Sequence, residues 1–277
     1  MKFDSLKDKY NYYRNMTDYR LLPNSYVMVM LDGRSFSHKI KKRFKRPFDD
    51  EFIRIMNETA QYVAKNISGC KLAYVQSDEI NLVLYDKSTQ EPFFGNRMCK
   101  LLSIIASMAS GKFNQLMFEH NIRQMSYDNT KMYCEDTLYS IKDAMAAMSS
   151  MPLYEFDCKV WNVPNVNDAF AGILYRQNDC IRNSKEVVAQ DKFSANELHK
   201  KRTEEQIVMV REKFGIDWYT DFDDGKKYGR FIIPQLVTFS ENCKRRKWTI
   251  NNAFPLSDEN NRKELISYLA DDEEVSN

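Results

Sequence analysis

The chain has 277 residues, of which 43% are hydrophobic, and its formal net charge at pH 7 is only +2. These values indicate an ordinary globular protein with one large or two modest domains. Because the chain lacks an apolar run of about 18 residues and its first residues carry charges, we expect neither a membrane span nor a signal peptide. The expected location is the cytoplasm, with the mitochondrion as an alternative. The 6 cysteines are scattered without a C-x-x-C pair and there are only 3 histidines, which argues against a disulfide framework or a zinc site.

Hydrophobic periodicity in the first half of the chain predicts a β-α-β-β unit preceded by a helix. The predicted elements are a helix in the first fifteen or so residues, a buried strand over 26–31, an amphipathic helix over 48–67, and strands over 71–75 and 80–85. The last two strands are joined by a Ser-Asp-Glu turn at residues 77–79. Gly33 follows the first strand and is expected to allow its sharp exit.

The second half of the chain predicts more helix than strand. The predicted elements are a helix over 96–118, an ambiguous helix or insertion over 134–152, a strand over 153–163, helices over 165–190 and 194–215, and a strand over 228–239. We therefore expect one α+β core with an attached, mainly helical C-terminal region.

The charges of the chain are segregated. The segment 38–46 contains six Lys or Arg residues, further basic clusters occupy 199–202 and 243–247, and the segment 271–277 is acidic. Clustered positive charge on a nearly neutral protein favours a polyanionic partner such as nucleic acid or a triphosphate. The alternative for each cluster is an ordinary solvated loop.

Two carboxylates are predicted to meet at one end of the sheet. In a β-α-β-β unit the first and third strands usually pair, so Asp32 at the end of the first strand approaches Asp78 in the later turn. Mg²⁺ binds such a pair and completes its shell with water and phosphate oxygens. A second ion about 4 Å away would give a two-metal site. The alternative is that Asp78 and Glu79 occupy an exposed hairpin turn, where acidic residues are common.

The sequence Asp32-Gly33-Arg34 strengthens the metal interpretation. A glycine directly after the strand lets the backbone approach a phosphate, and Arg34 offers a guanidinium fork to phosphate oxygens. Ser35 and Ser37 can donate further hydrogen bonds. These residues predict a site for a phosphate-bearing substrate beside the metal.

The order of the motifs resembles a known family. The segments LDGRSFS, a basic loop ending at Pro47, YVQSDEINLVL, RMCKLLSIIAS, FDCKV and YRQNDCIRNS resemble, in order, the motifs of the tRNA(His) guanylyltransferase superfamily, from about residue 5 to residue 235. The resemblance implies a polymerase-like palm whose antiparallel sheet has ferredoxin-like connectivity and is flanked by helices. It also implies 3′ to 5′ nucleotide addition to the 5′ end of a tRNA, two Mg²⁺ ions, ATP and GTP or other nucleoside triphosphates as substrates, and a homotetramer.

The resemblance also implies roles for individual residues. The implied catalytic residues are Asp32, Asp78 and Glu79, and the implied metal ligands are Asp32, Asp78 and the carbonyl of Gly33, with Glu79 supporting the metal site. The implied nucleotide site contains Asp32, Gly33, Arg34, Ser35, Phe36, Ser37, Arg46, Ser77, Asp78, Arg97 and Lys100. The expected RNA-binding residues are Lys41, Lys42, Arg43, Lys45, Arg182 and Asn183. Without the resemblance, Arg97 and Lys100 would be interpreted as a solvated helix face.

Two departures from the family pattern bear on specificity. Met30 stands where members often have an arginine two residues before the first aspartate. Residues 181–184 read Ile-Arg-Asn-Ser, where enzymes that act on tRNA(His) carry His-Ile-Asn-Asn. The pattern resembles the guanylyltransferase-like branch, which implies template-dependent repair of tRNA 5′ ends. A true tRNA(His) guanylyltransferase, a palm-type nucleotide cyclase and a non-catalytic RNA-binding palm are the alternatives.

With the resemblance, the chain divides into three predicted segments. Residues 1–150 are expected to form the palm with its two-metal site, and 151–240 the rest of the palm sheet with a helical RNA-contacting region. Residues 241–277 are expected to form a basic segment and an acidic tail, with disorder at its end left open.

Overall fold

The fold is built on one antiparallel sheet. It is taken from a computed structural model that describes residues 3–40, 43–86, 91–132, 149, 151–240 and 243–270. The six strands are β1 (Tyr26–Gly33), β2 (Cys70–Gln76), β3 (Glu79–Leu84), β4 (Phe156–Val163), β5 (Arg230–Ser240) and β6 (Cys243–Asn252). Their order across the sheet is β4-β1-β3-β2-β5-β6.

Helices connect and cover these strands. The described α-helices are α1 (Leu6–Asn15), α2 (Phe36–Lys39), α3 (Asp50–Lys65), α4 (Met98–Met132), α5 (Val166–Lys192), α6 (Ala195–Leu198), α7 (Thr203–Phe214), α8 (Asp224–Tyr228) and α9 (Glu259–Leu269). Because α3 joins β1 to β2 and α4 lies between β3 and β4, the first four strands have the ferredoxin-like connectivity expected from the resemblance. The predicted α+β fold, an antiparallel sheet flanked by helices, is confirmed.

The two faces of the sheet have separate cores because successive side chains of a strand point to opposite sides. Val29 and Leu31 of β1 share one core with residues of α3 and α4. Met28 and Tyr26 pack in the other core, which includes Ile173 of α5. A third cluster joins the last turns of α5 to α7 around Trp218. The helical region after β4 therefore has its own small core.

Local sequence signals fix where the helix beside the basic loop begins. Asp49 is the N-cap of α3, and its Oδ1 accepts hydrogen bonds from the backbone nitrogens of Glu51 at 2.9 Å and Phe52 at 3.0 Å. Such a cap satisfies backbone donors that the first helical turn leaves free. The end of the basic loop is thus held at a defined place beside the sheet.

The structure differs from the predicted elements at two places. The helix predicted over 194–215 is two helices, α6 and α7, because Lys200 between them has a left-handed φ of 60°. The basic cluster 243–247, predicted only as charge, belongs to the strand β6 at the edge of the sheet.

Some predictions fall beyond the residues that the structure describes. The ambiguous segment 134–152 lies mostly outside them, as does the whole acidic segment 271–277. The three-segment division of the chain stays a prediction. In the described part of the chain, no helix combines the length and apolar character needed to cross a bilayer.

Candidate active site at the ends of the central strands

The register of the central strands brings Asp32 close to the turn that contains Asp78. β1 and β3 are antiparallel, and Asp32 lies directly opposite Glu79. The backbone nitrogen of Gly33 donates a hydrogen bond to the carbonyl oxygen of Asp78 at 3.1 Å. The predicted pairing of the first and third strands is therefore confirmed, and it joins the end of β1 to the β2–β3 turn.

A third carboxylate, which the sequence reasoning missed, lies beside this pair. Asp157 of β4 is directly opposite Asp32 on the other side of β1. Its segment, FDCKV, contributes to the family resemblance, which implied no role for this aspartate. Since β4 and β3 flank β1, Asp32 stands between acidic residues on both neighbouring strands.

The electrostatics of the site favour a cation. Burial raises the pKa of Asp32 to about 6, with further contributions from the negative charges of Asp78, Glu79 and Asp157 and an opposing one from Lys159. Burial also raises the pKa of Asp78. Because crowded carboxylates resist ionisation together, a bound cation would stabilise their charged forms.

The donor set at this position fits Mg²⁺. In the described part of the chain, no group of three or more His, Cys, Asp or Glu side chains is arranged to hold a metal. Mg²⁺ does not need such a cage, since proteins usually bind it through one or two carboxylates, water and substrate phosphates. Asp32 and Asp78 are hard oxygen donors of this kind, beside the backbone of Gly33.

Glu79 is committed to other partners. Its Oε1 accepts hydrogen bonds from Arg176 Nε at 2.7 Å and Asn81 Nδ2 at 2.6 Å, and its Oε2 pairs with Arg176 Nη2 at 2.5 Å. Gln76 Nε2 donates a further hydrogen bond to Oε1 at 3.2 Å. Both carboxylate oxygens are therefore used, which suits the predicted supporting role and leaves Asp32 and Asp78 as the available ligands.

Arg176 was also missed by the sequence reasoning. It lies on α5, is mostly buried, and binds Asp179 through Nη1 at 2.8 Å as well as Glu79. The available signal was the Arg-Gln-x-Asp-Cys segment itself, which carried the resemblance without a role for its first residue. Arg176 links α5 to the turn that presents Asp78.

The packing around Gly33 gives a reason for a glycine beyond the predicted ones. A Cβ at this position would lie 2.5 Å from the ring of Phe36, so the close approach of that ring excludes a side chain. The left-handed residue at the strand exit is Ser35, with φ of 59°. Phe36 itself is buried between Phe113 and Phe156, with ring centroids 4.9 and 5.1 Å away. Its side chain supports the loop from the core and does not face the site.

A cavity of 280 Å³ opens beside Asp78. Six residues predicted for the nucleotide or RNA sites line it, namely Ser37, Lys45, Arg46, Ser77, Asp78 and Asn183. Arg34 and Ser35 are exposed on the loop that follows β1. Residues from four separate parts of the chain thus meet around one cavity.

Other predicted residues lie elsewhere. Arg97 pairs with Asp18 at 2.8 Å. Arg97 directly precedes α4 and Lys100 lies in its first turn, near the opposite end of β1 from Asp32. Their role in nucleotide binding stays a prediction, and the single chain does not bring them to the carboxylates.

The predicted RNA contacts are only partly described. Arg182 is exposed and pairs with Asp179 at 2.9 Å, and Arg43 is exposed on the basic loop. Lys41 and Lys42 lie outside the described residues.

Comparisons with known proteins agree with this architecture. The family model described as tRNAHis guanylyltransferase matches residues 8–164. An uncharacterized protein of Acanthamoeba polyphaga mimivirus is 29% identical over 244 residues, which are 84% of this chain and 78% of that protein. The tRNA(His) guanylyltransferase of Schizosaccharomyces pombe is 35% identical over 96 residues, which are 34% of this chain and 35% of the yeast protein.

Two solved structures are also similar. A bacterial tRNA(His) guanylyltransferase-like protein in complex with ATP has a TM-score of 0.77 at 26% identity, covering 96% of this chain and 99% of that one. The tRNA(His) guanylyltransferase of Saccharomyces cerevisiae has a TM-score of 0.60 at 20% identity, covering 87% of this chain and 96% of the yeast chain. The second likeness shows the fold alone.

Proposed function

Since the chain belongs to the tRNA(His) guanylyltransferase family of nucleotidyltransferases, we propose that it adds nucleotides in the 3′ to 5′ direction to the 5′ end of truncated tRNAs. In this proposal each added nucleotide is chosen by pairing with the opposite strand of the acceptor stem. The observation that carries the proposal is the convergence of Asp32 and Asp78 beside a cavity lined by Arg46 and Lys45.

The two aspartates would hold Mg²⁺. When bound, Mg²⁺ lowers the pKa of an attacking hydroxyl and neutralises charge on a triphosphate. The protein groups have separate tasks around it. Arg34 and Arg46 are exposed guanidinium groups that can bind phosphate oxygens, and the Glu79–Arg176 pair fixes the turn from which Asp78 projects.

Unpaired cations near the cavity supply the means to bind a polyanion. Arg43, Lys45 and Arg46 are exposed, and their side chains make no ion pair with any residue that the structure describes. Because these charges are not neutralised within the protein, they are available to phosphate groups of RNA or of a nucleotide. The resemblance also implies a homotetramer, which we include in the proposal.

Residues 181–184 support the template-dependent branch. Ile181 is half-buried and packs against the cluster around Trp218, so the position where the His-Ile-Asn-Asn pattern has a histidine is apolar and part of a core. Arg182 is exposed and suits a phosphate contact, which positions RNA without reading its sequence. The structural likeness to the guanylyltransferase-like protein, which covers 96% of this chain, agrees with this branch.

The test compares nucleotide addition on two pairs of 5′-truncated tRNAs. One pair differs only in the templating base and the other only in the anticodon. We expect the added nucleotide to change with the templating base and the rate to be nearly independent of the anticodon. Constant guanylate addition that is lost when a GUG anticodon is changed would instead favour a true tRNA(His) guanylyltransferase.

Control reactions separate the remaining alternatives. The Asp78→Asn variant should bind tRNA but lose nucleotide addition, since one metal ligand is removed. Equal activity of this variant and the wild type would exclude the two-metal assignment. Consumption of nucleoside triphosphate without RNA, yielding a cyclic product, would favour a cyclase.

A further inference from the structure

Arg230 is a buried cation whose hydrogen bonds are incomplete. It is the first residue of β5 and only 5% exposed. Its Nε donates to Asn57 Oδ1 at 3.0 Å and its Nη1 donates to the carbonyl oxygen of Gly225 at 3.2 Å. Its Nη2 has no partner among the described residues. A buried donor without a partner costs free energy, so its retention calls for a group that completes it.

Among the described residues, no carboxylate forms an ion pair with this guanidinium, although the charge of Asp223 acts on it. Both of its protein partners are neutral oxygen acceptors, and burial lowers the pKa of Arg230 below its ordinary value. An arginine nevertheless stays protonated at any physiological pH. The side chain is thus a fixed, donor-only group in a protein interior.

The missing partner can come from the cavity beside Asp78, because Arg230 is one of its lining residues. The walls of the cavity are largely apolar and include Phe44, Phe48, Phe52 and Ile53. A mostly apolar cavity with a few fixed polar groups is typical of a site for a flat organic ligand. A cavity that combines aromatic side chains with the Arg230 hydrogen-bond donor suits a nucleobase better than it suits a bare anion.

Arg230 and Asp78 both line this cavity. Arg230 lies opposite Val75 of β2, and Asp78 lies in the turn that follows β2. If the triphosphate of a nucleotide is bound at the aspartates, as in the proposed function, the base extends away from them. The base edge is then the part of the nucleotide that can reach Arg230.

We propose that Arg230 selects guanine over adenine in a nucleotide that occupies this cavity without RNA. Guanine presents two acceptors on one edge, O6 and N7, whereas adenine presents N7 beside a donating amino group. A donor-only guanidinium completes its hydrogen bonding with the first edge and opposes the amino group of the second. The proposal rests on the proposed function for the position of the triphosphate.

This selection does not replace pairing with a template. Because O6 and N7 lie on the major-groove edge, a guanine bound by Arg230 can still form a Watson-Crick pair, and the selection is proposed only for the nucleotide that binds without RNA. The choice of the added nucleotide remains with the template. Nucleotide binding without RNA and templated nucleotide addition are therefore measured separately. A failure of the guanine preference leaves the proposed function intact, and a failure of templated addition leaves the binding measurement intact.

The experiment measures equilibrium binding of GTP, ITP and ATP to the full chain with Mg²⁺ and without RNA. ITP keeps O6 and N7 and lacks the 2-amino group. We expect GTP and ITP to bind about tenfold more tightly than ATP. Arg230→Met should reduce this preference to less than twofold, whereas the control Arg46→Met should weaken all three nucleotides equally because Arg46 is placed at the phosphates.

Two outcomes would overturn the proposal. One is equal binding of GTP and ATP by the wild-type protein. The other is an equal loss of GTP, ATP and tripolyphosphate binding in Arg230→Met, which would assign Arg230 to a phosphate. If that variant does not fold, 2-aminopurine riboside triphosphate decides with the wild type, since it lacks O6 and should bind as weakly as ATP.

Discussion

Replacing Asp32 by asparagine tests whether burial and the neighbouring carboxylates make the charge of Asp32 unfavourable when no cation is bound. The substitution keeps the shape of the side chain and removes its charge. We expect Asp32→Asn to stabilise the metal-free protein at pH 7.5 and to abolish nucleotide addition. A gain in stability that accompanies a loss of function is typical of residues placed for catalysis.

The size of the gain follows from the pKa of Asp32. A rise from the ordinary value of 3.8 to about 6 means that the folded protein holds this proton more tightly than the unfolded chain. Wild-type stability therefore falls as the pH rises through this interval, and the full effect, reached above pH 6, corresponds to at most about 3 kcal/mol. Because the side chain is partly exposed, solvent screening reduces the expected gain to about 1–2 kcal/mol.

Thermal unfolding of both proteins in EDTA, from pH 4.5 to pH 8, measures this effect. We expect the melting temperature of Asp32→Asn to exceed that of the wild type by about 2–6 °C at pH 7.5, and by much less at pH 4.5. The control Asp157→Asn should give a smaller gain, because Asp157 is exposed. Added Mg²⁺ should stabilise the wild type and have little effect on Asp32→Asn.

The reasoning would be refuted by a metal-free Asp32→Asn protein that is less stable than the wild type at pH 7.5. Equal stabilisation of both proteins by Mg²⁺ would also refute it. Either result would mean that Asp32 is held by favourable contacts and not crowded by other carboxylates.

Two further predictions concern Arg176 and the basic loop. Arg176→Met should lower the free energy of unfolding by about 3 kcal/mol, because it leaves the buried carboxylate of Glu79 without its cation. Arg182→Met on the same helix should cost less than about 1 kcal/mol, because the Arg182 side chain is exposed. Urea denaturation checks both values, and equal losses would contradict the supporting role of Arg176. Replacing Arg43 and Lys45 together by alanine should weaken tRNA binding and flatten its dependence on salt by roughly one unit of slope per lost phosphate contact. Binding titrations at several salt concentrations measure this slope. An unchanged slope would mean that the loop is solvated and does not contact RNA.

The central part of the fold could be predicted because its sequence signals agree with one another. The run at 26–31 is a continuous apolar strand buried on both faces, and the helix that follows Pro47 has a clear apolar face. The paired strands then fix where Asp32 and Asp78 meet. β6 was missed because its charged residues, at an edge of the sheet, hide the alternation typical of a strand. The break at Lys200 was missed because a left-handed backbone at lysine has no sequence signal.

The site was predicted less completely than the fold, since burial is not visible in a sequence. Arg176 and Arg230 look like ordinary surface cations until their neighbours are known. The structure shows that Arg176 pairs with Glu79 of another element. It also shows that Arg230 is buried and lines the cavity. Asp157 was missed for a related reason, because its approach to Asp32 depends on the pairing of β1 with β4. The environments of these three residues depend on contacts between distant segments of the chain, which local sequence patterns do not reveal.

The position of β6 affects how copies of this protein behave toward one another. β6 forms an edge of the described sheet, so one row of its backbone donors and acceptors has no strand beside it there. Arg246 and Lys247 follow one another along that edge, and both are exposed. A second copy that approached by the same strand would bring like charges together as the backbones met. The basic run therefore hinders the edge-to-edge growth that leads exposed sheets toward aggregation, whether or not RNA is present.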